Sequence, residues 1–175
     1  MVAKQMLSTI DSIEKVLRFV MPGFLFVLLY RMAYPPNSAS PLGAIGNNEL
    51  YIFIPFIGIA IYSVHRIVFE MLDFIIFNRI TYGSLDRVAE HTRARFGEEN
   101  RVLRDYMYYR WAIIHCSSIF AELLIFFSIF HENGTFFSKH SSPAFWVGIG
   151  LFVLCLFVYW RTREFTRKLF GNTDK

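Results

Sequence analysis

Cysteine is almost missing from this chain: Cys116 and Cys155 are the only two in 175 residues. Each stands alone in an apolar stretch, so neither a disulfide framework nor a Cys/His zinc cluster is encoded. Both are expected to act as small polarizable packing residues. The sequence also has no Gly-rich phosphate loop, no HExxH and no GxSxG. Nucleotide-loop, zincin and serine-hydrolase chemistry therefore lack their residues, and no cofactor or metal is expected. Charge is missing too, over long distances. Four stretches of roughly 15–20 residues are nearly uncharged, close to the ~20 residues that a helix needs to cross a bilayer.

What fills those stretches is apolar and aromatic. Hydrophobic residues make up 54% of the chain and aromatics 18%, with 20 phenylalanines, more than the polar surface of a soluble domain this size could cover. An integral membrane protein follows. The net charge of +4 does not point to nucleic acid, because the basic residues flank the apolar stretches, where a membrane protein places them. The first apolar run is preceded by Asp11 and Glu14 and followed by no small-residue cleavage pattern, so it is expected to be retained.

The pattern predicts an all-α membrane bundle of about four spans, near residues 16–34, 50–69, 111–130 and 144–160, in a single membrane domain over 1–175. A short amphipathic helix is expected over 1–15, and Pro22-Gly23 is expected to bend the first span where neighbouring helices re-satisfy the backbone. Arg18 and Arg31 should snorkel at its ends. The second span is expected to continue past the membrane as an amphipathic helix. Residues 79–110, with seven arginines against five acids, form a helical cytoplasmic extension. The loop 131–143 carries the turn signal Asn133-Gly134. Lys and Arg number three in 1–18, none in 35–49, seven in 79–110, one in 131–143 and five in 161–175. By the positive-inside rule both termini and the 79–110 segment are cytoplasmic.

Glu122 is the leading candidate for function. It falls inside the third span, where an ionisable group costs ~2.5–3.5 kcal/mol unless it faces protein or water. His115, Ser118 and Glu122 recur at i, i+3 and i+7, which puts them on one helical face. They are candidate lining for a water-filled pathway; alternatively Glu122 is protonated and bonds a neighbouring helix. His65, Arg66, Glu70 and Asp73 follow the second apolar run as candidates for a cytoplasmic vestibule, or as an ion-paired interfacial face in which Arg66 and Glu70 pair at i,i+4. Tyr106, Tyr108, Tyr109, Trp111, Tyr159 and Trp160 fit interfacial belts. Arg110 and His115 are separated by four residues and could also be read as an RNase pair.

On the last of these patterns, together with its size and helical membrane character, the chain resembles the Csx-type membrane accessory proteins of type VI-B CRISPR systems. That resemblance implies a divergent HEPN-like element at Arg110 and His115 and assembly of copies into a ring-shaped pore. It also implies functional coupling to an RNA-guided ribonuclease, and depolarisation of the bacterial inner membrane in antiviral defence. Three functions are thus in view: an oligomeric pore, a membrane anchor or scaffold that recruits a cytoplasmic partner, and a membrane-bound HEPN-like RNase. Direct nucleic-acid binding is not expected of the first two.

Overall fold

The computed structural model describes residues 12–13, 15–34, 47–77 and 101–170. Every regular element among them is a helix. We number them α1 (Val16–Ala33), α2 (Asn47–Ile52), α3 (Ile54–Phe77), α4 (Arg101–Ile129) and α5 (Phe136–Phe170). Three segments are long and apolar enough to cross a membrane: Val16–Ala33, Tyr109–Ile129 and Phe136–Thr162. The apolar part of α3, Ile54–Phe69, is shorter. The surface helix expected over 1–15 and the 79–100 part of the cytoplasmic extension lie outside the described residues. Residues 101–110 are helical and continuous with the third predicted span.

Prolines explain where the helices depart from the simple pattern. Pro22 has no N–H for the carbonyl four residues back, that of Arg18, and its ring crowds that oxygen. The chain widens into a π-turn over Val16–Val20, and the Met21 N–H bonds the Val16 carbonyl instead. Pro55 divides the predicted second span. It is the second residue of α3, where a missing N–H costs nothing, and Phe53 separates α3 from the short α2. The last helix starts at Phe136, not near Ala144 as expected. Gly134 (φ 82°) turns the chain, and Thr135 Oγ1 accepts the Ser138 N–H at 3.3 Å as an N-cap. Pro143 is absorbed inside α5, which leaves helical geometry locally at His140 (φ −125°, ψ 21°).

The four long helices run up-down-up-down. Contacts of Gly148 with Ala121 and Ile125, of Phe137 with Phe127 and of Tyr159 with Trp111 make α4 and α5 an antiparallel hairpin. Helix α1 lies antiparallel to α3 and also touches α4. At one end of the bundle the Glu132 N–H bonds the Ala33 carbonyl (3.1 Å), which satisfies an orphan acceptor of α1. The main core is Leu29, Tyr30 and Ala33 of α1 with Ile119, Leu123 and Phe127 of α4 and Phe137 of α5. Phe69, Ile114 and Tyr159 form a second core toward the opposite end. That opposite end collects Lys15, Arg110 and Arg161, so the basic flanks of successive helices share one side.

Large apolar side chains also cover the outside. Phe56 of α3 is 67% exposed, as is Trp146 of α5, and Val153, Leu154 and Phe157 continue that outer face. A contiguous apolar exterior of this kind needs an apolar surrounding.

The α1–α3 crossing is set by glycine. A Cβ on Gly23 would collide with the Ile54 carbonyl, and one on Gly58 with the Phe19 carbonyl. Backbone meets backbone there, so no side-chain rotation can relieve a substitution. Gly58→Ala is expected to destabilise the protein by about 1–3 kcal/mol, as overpacking does. Gly150→Ala, where nothing lies within 4 Å, should stay within about 0.5 kcal/mol. Thermal unfolding in detergent distinguishes the two, and equal effects would refute the crossing.

Candidate functional site

Glu122 and His115 are two turns apart on α4, and α3 packs antiparallel across the interval. Helix α3 inserts His65 there, and it touches both. His65 Nδ1 lies 2.9 Å from Glu122 Oε1. His65 Nε2 lies 2.9 Å from His115 Nδ1. The result is an unbroken chain of three ionisable groups, Glu122–His65–His115, with one imidazole using both ring nitrogens to bridge the other two.

The chain is dry at its centre. The His65 side chain is 0% exposed and that of Glu122 is 26% exposed, while His115 is also buried. Aromatic rings enclose the imidazoles. Phe69 lies 4.5 Å from His65 between ring centroids, and Tyr62, Phe69, Trp111 and Tyr159 surround His115. Trp111 and Tyr159, expected as interfacial belt residues, instead pack against each other at 5.0 Å as part of this cage. Trp160 keeps the exposed position of a belt residue.

The π-turn brings a cation to the same place. Arg18 is half-buried, with its Nε shielded from solvent, rather than snorkelling at the bundle end. Its charge and that of Arg66 act on His115. Cys155 of α5 has Ser118 and Glu122 as neighbours. The Tyr62 hydroxyl is enclosed beside the cluster without a hydrogen-bond partner among the described residues.

Tautomers follow from the heavy atoms. With Glu122 ionised, His65 Nδ1–H donates to the carboxylate, and the lone pair left on Nε2 accepts from His115 Nδ1–H. With Glu122 protonated, its O–H donates to Nδ1 of a His65 carrying its proton on Nε2, which donates in turn to His115 Nδ1. Both arrangements fit the same three positions.

His115, Ser118 and Glu122 do share one face of α4, but that face is connected otherwise than the spacing suggests. Ser118, although fully buried, donates to the Ile114 carbonyl of its own helix (2.9 Å) and does not link His115 to Glu122. His65, read as a vestibule residue, supplies the link. Arg66 is half-buried one position further on. The side chains of Glu70 and Asp73 lie outside the described residues. Arg110 is half-buried on α4, and five residues of helix put it about 140° round from His115. No group of three His, Cys, Asp or Glu among the described residues could hold a metal ion. The reason is geometric, since His65 spends its nitrogens in opposite directions and leaves no common centre.

Comparison with known proteins gives no guidance: no protein-family model, no curated protein and no solved structure matches the chain.

The bridge predicts a specific energetic coupling. His65→Leu strands both Glu122 and His115, each loss being worth about 1–3 kcal/mol. In the double variant His65→Leu/Glu122→Leu both ends of one bond are gone, so its destabilisation should fall short of the sum of the single variants by about 0.5–2 kcal/mol. Unfolding measurements on the four proteins of the cycle test this, and strict additivity would show that the residues do not interact.

Proposed function

We propose that the protein is an integral membrane protein of about four spans that works as an oligomeric pore or channel-like effector and depolarises the inner membrane. The observation that carries this reading is Glu122, an ionisable side chain kept 26% exposed within a bundle whose exterior is apolar. Ionisable groups at such depth are costly, and they are kept where ions or protons are handled. The apolar outer faces of α3 and α5 offer surface both for lipid and for contact between copies. With α3 counted as a span, the basic ends of the helices share one side of the membrane, the cytoplasmic side by the positive-inside rule. Coupling to an RNA-guided ribonuclease in antiviral defence is what the resemblance noted above adds.

A second reading has its own support. Because His65 and His115 are sealed inside the protomer, the same chain would serve as interhelical glue in a membrane anchor whose cytoplasmic segment recruits a partner. Burial of His115 works against a third reading, an RNase, since a polynucleotide would have to reach a side chain enclosed by aromatic rings.

Electron microscopy of the detergent-purified protein and a voltage-sensitive dye in expressing cells decide between pore and anchor. The pore predicts a closed ring with an axial channel and loss of membrane potential on activation. A monomer or compact dimer, with the potential unchanged, would establish the anchor.

A further inference from the structure

The same three side chains carry a more specific consequence. We propose that Glu122, His65 and His115 form a proton relay through the interior of each protomer, separate from any pathway between protomers. This rests on the membrane reading above and does not require the pore.

The geometry has three parts. First, the links are direct: both contacts are 2.9 Å, an ordinary hydrogen-bond length. Protons hop over such distances, whereas a hydrated metal cation has no room between a fully buried imidazole and its aromatic cage. Second, the chain has an open end and an enclosed end. Glu122 is partly accessible, while His115 lies toward the basic end of the bundle, under Trp111 and Tyr159. Seven residues of helix separate the two, ~10 Å of a hydrocarbon core ~30 Å thick. Third, the proton donors and acceptors are continuous, because His65 presents one nitrogen to each neighbour.

The transfer balances as follows. In the loaded state Glu122 is protonated and both imidazoles carry their proton on Nε2. The Glu122 O–H proton moves to His65 Nδ1 as the His65 Nε2 proton moves to His115 Nδ1. The His115 Nε2 proton then passes to solvent water at the basic end, where the residue keeps a 6% exposed edge. The chain is left with an ionised Glu122 and both imidazoles protonated on Nδ1, and exactly one proton has been released for the one that entered. Reloading requires Glu122 to take a new proton and each ring to exchange its Nδ1 proton for one on Nε2, which the rings do only by rotating out of the two contacts to exchange with water.

Charged and titratable neighbours from every packed element bear on this chain. Arg18 from α1 and Arg66 from α3 place positive charge beside His115. Tyr62 from α3 and Tyr159 from α5 contact its ring, and Cys155 from α5 adjoins Glu122.

The test uses the full chain in liposomes containing a pH-sensitive dye, with a potassium diffusion potential set by valinomycin. Wild type should acidify the lumen. Glu122→Gln, which keeps size and hydrogen bonding but cannot carry the proton, and His65→Phe, which keeps an aromatic ring against Phe69, should each slow acidification about tenfold or more. Gel filtration in detergent confirms that the variants fold, and Glu122→Gln alone suffices if His65→Phe does not. No acidification by wild type, or wild-type rates in a folded variant, overturns the relay. Potassium efflux from wild-type vesicles without valinomycin is scored separately: its absence counts against the pore and leaves the relay standing.

Discussion

Glu122 lies within an apolar helix, and an acid there must either find a partner or give up its charge. His65 is that partner, and much of the bundle follows from bringing it into place. To put His65 between Glu122 and His115, α3, which packs mainly on α1, must approach α4 near that one residue. Helix α1 must then lie across α3 without holding it off, and Gly23 and Gly58 allow that by letting backbone touch backbone. The π-turn at Pro22 falls at the same level and carries Arg18, whose Nε is shielded within the bundle. A local proline defect and a glycine crossing thus belong to the same construction as the polar chain.

Most of the rest of the described interior is apolar, with Ser118, Ser128 and Thr162 the buried polar exceptions. At one end Phe127, Tyr30 and Phe137 close the bundle, and at the other Phe69 and Tyr159 do so. Between them the polar chain is an interruption, and a low-dielectric surrounding makes its hydrogen bonds stronger and an unpaired member more costly. That asymmetry explains why the three groups use their hydrogen-bonding positions on one another, and why Ser118, which sits on the same face, turns back to its own helix. It also separates the two functional readings physically. Glue needs only that the bonds exist, whereas a relay needs the bonds to admit two proton arrangements on fixed heavy atoms, which a carboxylate and two imidazoles provide.

Several features were legible in the residues themselves. The helical class, the apolar segments and the alternation of basic flanks follow from composition and charge, because a helix satisfies its own backbone and needs no distant partner to be recognised. The turn at Asn133-Gly134 follows from glycine's tolerance of positive φ. The shared face of His115, Ser118 and Glu122 follows from helical spacing alone. The boundaries were less legible where proline acts on its neighbours: the division at Phe53 and the start of α5 at Phe136 depend on what each proline and the Thr135 cap meet in space.

The partnership of His65 was not in the sequence at all. It lies 57 residues from Glu122 and 50 from His115, and no local pattern distinguishes it from a histidine at a membrane surface. A lone imidazole in an apolar helix, with Tyr62 and Phe69 on the same face, signals that some partner must exist, but periodicity cannot say which. The sequence by itself determined that α4 carries a polar face and that burying it requires compensation. Only the tertiary structure decided that the compensation comes from α3, since hydrogen bonds across helices are fixed by the crossing of the helices and not by the order of residues along either one.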